Sequence, residues 1–242
     1  DGLPRARLGL DRVSDLARVN AIQGLVLGAG LVRCFGGALN ELRVTASYGT
    51  SDHRLGGRAG ARFSLGRSWL ALEGRREVRD FADEPVISPL LNSLLAQESG
   101  RDHGDYLLLE SLSAEGRTPL APRWHLAWQA AREWASSVTV AARPVRGSYA
   151  PHPPLGGAPL WSARVGVERR TETADGRLAV ELGSGPVIYG RLNGSAEAAV
   201  AALGGSLRLG GRLGLATADL PARRSFGLGG RGAGQRTRGR RG

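Results

Sequence analysis

Arg54-Leu55-Gly56-Gly57-Arg58-Ala59-Gly60-Ala61-Arg62-Phe63-Ser64-Leu65 decides how the rest of the chain is read. Leu55, Gly57, Ala59, Ala61, Phe63 and Leu65 fall on one side of a period-two alternation. Arg54, Gly56, Arg58, Gly60, Arg62 and Ser64 fall on the other. Period two is the signature of an extended strand, whose successive side chains point to opposite faces. Charge on one face and none on the other means that the two faces meet different surroundings.

The same pattern recurs outward in both directions. Leu42, Val44, Ala46 and Tyr48 alternate with Arg43, Thr45 and Ser47. Trp124, Leu126, Trp128 and Ala130 alternate with His125, Ala127, Gln129 and Ala131, and Trp161, Ala163, Val165 and Val167 with Ser162, Arg164, Gly166 and Glu168. Leu192, Gly194, Ala196 and Ala198 oppose Arg191, Asn193, Ser195 and Glu197. Leu207, Leu209, Gly211, Leu213 and Leu215 oppose Arg208, Gly210, Arg212 and Gly214. Weaker runs lie at 5–10, 23–33, 69–77, 105–115, 137–143 and 177–184. Short links at Gly49–Asp52, Ala174–Gly176 and Gly183–Pro186 predict antiparallel hairpins.

A soluble β-sandwich and a transmembrane barrel produce the same alternation, one with the polar face in water and the other with it in a lumen. Three features favour the barrel. The runs reach roughly ten residues or more, against about 5–6 for soluble strands. The apolar faces mix Leu with Ala and Gly, which pack a water-soluble core poorly but can face lipid. Arg stands in mid-strand on the polar face at Arg58, Arg62, Arg164, Arg208 and Arg212, with Glu168 among them. These charges are read as lumen-facing. Strand acids such as Glu73, Glu110, Glu168, Glu181 and Glu197 are expected to pair with them. The expected fold is all-β, an antiparallel transmembrane β-barrel wall of about eleven strands.

One segment breaks the alternation. Ser88 as N-cap, Pro89 at the first helical position and Gly100 as a stop predict a short helix near 88–98, with Leu90, Leu91, Leu94 and Leu95 on one side. It sits in a long connection, 79–104, and is read as packing over a barrel mouth, or else as a partner- or membrane-surface helix. A second long connection, 144–159, carries Pro144, Pro151, Pro153 and Pro154 and is expected to be solvent-exposed.

Composition narrows the chemistry. All 33 basic residues are Arg, so no P-loop lysine, Schiff-base lysine or Ser-x-x-Lys pair exists. Cys34 is the single cysteine, which excludes an internal disulfide framework and a Cys-rich zinc site. His53, His103, His125 and His152 lack metal-ligand spacing. Gly28-Ala29-Gly30 has Arg33 where a dinucleotide loop needs its third glycine, and no Gly-x-Ser-x-Gly elbow occurs. No enzyme chemistry, cofactor or metal is therefore expected. No stretch of 18 apolar residues is present, which bears on helices and not on strands. The net charge of +11 hints at nucleic acid, but Arg223, Arg224, Arg231, Arg236, Arg238, Arg240 and Arg241 crowd the last twenty positions without an acid. The body is only mildly basic, and no nucleic-acid partner is expected; a soluble Arg/Gly nucleic-acid binder resting on that tail is the remote alternative. With no Met and Asp1 at its head, the chain reads as part of a longer product, and a leader would lie out of view.

The stretch Arg18-Val19-Asn20-Ala21-Ile22-Gln23-Gly24-Leu25-Val26-Leu27-Gly28-Ala29-Gly30-Leu31 resembles the start of barrels in the bacterial surface-antigen superfamily. That superfamily holds the outer-membrane protein insertases and the two-partner secretion transporters. Val44-Thr45-Ala46-Ser47-Tyr48-Gly49-Thr50-Ser51-Asp52 looks like its next strand and turn. Arg224-Ser225-Phe226-Gly227-Leu228-Gly229-Gly230 resembles the lead-in to the family's lumen-entering loop, in which an Arg-Gly pair and an aromatic follow. Here Arg231-Gly232 and Arg238-Gly239 are the Arg-Gly pairs on offer, and neither is followed by an aromatic. The lumen-loop residues implied by the resemblance are Phe226, Leu228, Gly229, Gly230 and Arg231.

The resemblance covers most of residues 18–230. It implies a partial barrel over 1–222, out of roughly 16 strands in the whole, followed by a loop motif and Arg/Gly-rich tail over 223–242. It also implies a place in the bacterial outer membrane and a role in inserting outer-membrane proteins or translocating polypeptides. The implied partners are outer-membrane lipid, unfolded outer-membrane or secreted polypeptides, and periplasmic assembly proteins. A passive pore, a barrel of structural role and a lipid-modifying barrel enzyme remain the rival readings.

Overall fold

The computed structural model of the chain describes residues 6–9, 13–80, 87–151, 157–202 and 205–221. The alternating stretches all form strands: β1 (Ala6–Leu8), β2 (Ala17–Asn20), β3 (Gly24–Cys34), β4 (Leu39–Gly49), β5 (Leu55–Leu65) and β6 (Ser68–Asp80). After the helix come β7 (Tyr106–Ala121), β8 (Trp124–Ser137), β9 (Gly157–Arg170), β10 (Ala174–Ser184), β11 (Ile188–Ala202) and β12 (Gly205–Ala216). They make one antiparallel sheet in which β3 to β12 follow one another in chain order, with β1 and β2 both on the outer edge of β3. Among the described residues two helices, α1 (Val13–Leu16) and α2 (Pro89–Ser99), interrupt it.

Twelve strands form among the described residues, close to the eleven or so expected, with β2 standing where no alternation was read. Two expectations are corrected. The run 137–143, expected as a strand, contributes only Ser137, the last residue of β8. Residues 138–142 turn instead to the tip of the β2–β3 hairpin, where the Ala141 and Ala142 N–H groups donate to the Ala21 carbonyl at 3.3 and 3.1 Å. Ala174–Gly176 lies inside β10, and the turn before it uses 171–173, where the Thr171 Oγ1 accepts from the Ala174 N–H at 2.8 Å. The sheet is open, in keeping with the partial wall expected from the sequence: β12 pairs with β11 alone among the described residues, and the outer edge of β2 is met by a helix and loop rather than a strand.

The connections differ at the two ends of the strands. One end has tight turns at 66–67 and 122–123. The other carries the long connections 81–105 and 138–156. α2 lies in the first of these and forms as its local code requires. Ser88 Oγ accepts from the Leu91 N–H at 3.3 Å, Pro89 opens the helix, and Gly100 adopts φ 67°, a left-handed conformation that costs a side-chain-bearing residue energy. The Gly100 N–H donates to Ala96 O and the Arg101 N–H to Leu95 O, which satisfies the last carbonyls.

α2 packs with its small and polar side. Ser93 Oγ accepts from the Val19 N–H at 3.1 Å, and Ala96 is fully buried. Leu90, Leu91 and Leu94 are exposed. A small apolar cluster of Ile22, Val78, Tyr106 and Val138 seals the same end, and Leu107, Leu109 and Ala135 form a second.

Candidate functional site

The cross-strand register sorts the sheet into two faces. Arg58 stands opposite Thr45 and Arg75, Gly60 opposite Arg43 and Glu73, and Arg62 opposite Glu41 and Ala71. Followed across β7 to β12, the same face carries Arg117, Gln129, Arg164, Glu168, Arg177, Glu181, Arg191, Asn193 and Arg212. The charges Arg58, Arg62, Arg164, Glu168 and Arg212 therefore share one face. Arg208 holds the matching register position, opposite Ala199. Phe226, Leu228, Gly229, Gly230 and Arg231 lie outside the described residues.

Many of the arginines on that face meet a carboxylate. Arg58 meets Glu77 at 3.6 Å, and Arg75 reaches both Glu73 and Glu77. Glu168 holds two arginines, Arg117 at 3.2 Å and Arg177 at 3.5 Å. Arg117 is on β7 and Glu168 on β9; the β8 residue opposite Arg117 is Ala127, small enough for the longer side chain to pass over. Arg191 and Glu181 pair at 3.4 Å with both side chains buried, and the Tyr189 hydroxyl donates to Glu181 Oε1 at 2.8 Å. The Tyr189 ring lies against Gly183, where a Cβ would collide with it. Arg62 has a different partner, the ring of Trp69 on the same face, 4.1 Å away. The strand acids are expected from the sequence as partners for the arginines, but not which pairs form: the Arg75 pairs with Glu73 and Glu77 lie within β6, and the others join neighbouring or next-neighbouring strands.

The opposite face is apolar and open. Leu27, Leu31, Val44, Leu55, Leu72, Leu112, Val165, Leu178, Leu182, Leu209 and Leu213 stand there, each between 46 and 67% exposed. Burying such side chains releases roughly 1.5–3 kcal/mol each, so an uncovered apolar face spread across the sheet is unfavourable in water. Arg18 and Asn20 of β2 bound a cavity of about 540 Å³ with Arg58, Arg75 and Glu77 of β5 and β6. All five belong to the charged face by register, so the sheet curls with its charges inside and its leucines outside.

Aromatic and charged groups mark both rims of the apolar face. At the long-loop end Arg132 lies over the rings of Trp134 and Trp161, Arg76 pairs with Glu110 at 2.9 Å, and the Tyr48 hydroxyl bonds His53 Nδ1 at 2.9 Å. At the short-turn end Arg169 lies over Trp124 and Arg33 over Phe35. Between these rims the outward positions of β3–β12 carry no charge.

Asp102 organises the long-loop end, a role that the sequence reading missed. Its carboxylate accepts from the Ala21 N–H at 2.7 Å, Asn92 Nδ2 at 2.8 Å, the Gly104 N–H at 3.0 Å and the Tyr106 hydroxyl at 3.0 Å. One loop carboxylate thus ties the turn after β2, α2 and β7 together. Burial, and then the Asp102 charge, hold the Tyr149 hydroxyl above the usual phenol range. The Asp102-His103-Gly104 turn was the only local sign of this hub.

Among the described residues no three His, Cys, Asp or Glu side chains converge as a metal cage does. No helix there is long and apolar enough to cross a membrane, which says nothing of strands. No family model matches the chain, and neither a curated protein nor a solved structure does.

Proposed function

We propose that this chain forms the wall of an outer-membrane β-barrel of the surface-antigen type, acting in the insertion of outer-membrane proteins or the translocation of polypeptides. The observation that carries the membrane placement is the uncharged, exposed apolar band between two aromatic rims. From Trp124 to Arg132 the strand runs about 27 Å at about 3.4 Å per residue. At a tilt of roughly 40° that spans about 21 Å along the membrane normal, close to the ~25 Å apolar belt of such barrels. Backbone groups inside lipid must be satisfied by strand pairing, and an antiparallel sheet with its charges turned inward meets that demand everywhere but at its edges.

The insertion or translocation role rests on the resemblance together with the charged inner face, which offers a hydrated path for a polypeptide. A passive pore rests on the same charged face, whose surplus of Arg would favour anions.

The chain reconstituted in phospholipid vesicles, and given a urea-unfolded outer-membrane barrel, should speed that substrate's folding over empty vesicles. Anion-selective conductance in planar bilayers with no effect on substrate folding would replace this reading by the pore. A folded monomer that stays in the aqueous phase on detergent extraction would end both.

A further inference from the structure

The outward-facing arginines divide into two kinds. Arg76 has a carboxylate of its own, Glu110, 2.9 Å away. Arg132 has no carboxylate partner among the described residues. Its guanidinium carbon lies 4.3 Å from the centre of the Trp134 ring and 4.6 Å from that of Trp161, and its Nε is buried without a hydrogen-bond partner. Two indoles hold the cation by its faces and strip water from its inner nitrogen, which leaves the terminal nitrogens to meet an anion at the rim. A side chain held this way loses little further freedom on binding.

The surroundings identify the anion. Trp161 opposite Arg132 belongs to the apolar face, and Ala163, Val165 and Val167 continue that face along β9 toward the other rim. A ligand that satisfies Arg132 and also covers this strip has an anionic head and an apolar tail. We infer that Arg132, clamped by Trp134 and Trp161, is a binding site for the phosphate headgroup of an anionic membrane lipid whose acyl chain lies along β8 and β9. This rests on the membrane placement proposed above. The guanidinium donates two parallel N–H bonds to two phosphate oxygens, a geometry that an ammonium in its place does not match.

The test is quenching of tryptophan emission by phospholipids with brominated acyl chains, in vesicles of otherwise zwitterionic lipid. At equal mole fraction the brominated anionic lipid should quench the wild-type chain more than the brominated zwitterionic one, with an apparent preference of about fivefold for one arginine at the surface. Arg132→Gln should remove that preference, and Arg132→Lys should keep part of it. Arg76→Gln should leave it intact, because Arg76 already has Glu110. Equal quenching of wild type by both lipids would overturn the inference while leaving the membrane placement standing. Loss of the preference on adding millimolar inorganic phosphate would reduce the site to one for free anions and overturn it as a lipid site. Absence of quenching by either lipid would remove the membrane placement itself.

Discussion

Glu168 shows how single residues hold the charged face together. It neutralises Arg117 and Arg177 at once, and only 14% of its side chain is exposed. Glu168→Gln would leave two guanidiniums facing each other without their shared counter-charge. The expected loss is about 2–3 kcal/mol, somewhat less than in a dry interior because Arg177 is still 45% exposed. Glu110→Gln removes the outward pair with Arg76, whose side chains are 48 and 61% exposed, and should cost no more than about 1 kcal/mol. Urea unfolding of the reconstituted protein, followed by gel mobility, measures both; equal costs would mean that the charged face is no more enclosed than the rim. At this scale the sequence told which residues carry charge and on which side of each strand they lie. It did not tell that Asp102 would be a hub, because its partners Ala21, Asn92 and Tyr106 come from three separate parts of the chain.

The strands β8 and β9 carry the test of what the apolar face meets. Val165 lies within the band, opposite Trp128 and Val180, and is 52% exposed. In water, Val165→Arg at a half-exposed strand position should change stability by no more than about 0.5 kcal/mol. Against lipid near the bilayer middle it should cost about 2–4 kcal/mol. Unfolding measured in vesicles decides between these, and a near-zero cost there would place the band outside the membrane. The helix shows how far local code reaches at this scale. Ser88, Pro89 and Gly100 were enough to predict its start and stop. They did not predict that its leucines would face outward while Asn92, Ser93 and Ala96 pack inward, since that choice belongs to the β2 edge and Asp102.

Across the whole molecule the two ends of the sheet should lie on opposite sides of a membrane. With Cys34 replaced by Ser, a cysteine placed at Arg67 in a tight turn and one placed at Gln97 in α2 should label from opposite sides of sealed vesicles with a membrane-impermeant maleimide. Labelling of both from one side would refute a spanning sheet. The alternation of Leu55 to Leu65 against Arg54 to Ser64, repeated from strand to strand, was enough to specify an antiparallel all-β chain with one charged and one apolar face, because strand periodicity is a property of each residue and its near neighbours. Which face turns inward was not contained in that pattern, since alternation reads the same with the sheet curled either way. The curl was decided by contacts distant in sequence: Arg18 and Asn20 bounding a cavity with Arg58 and Glu77, Ala21 receiving the backbone of 141–142, and Glu168 joining β7 to β10 through its two arginines. Residues 138–142 had a strand's alternation and did not become one, because the backbone partner within their reach was a single carbonyl at Ala21 and not the edge of a strand.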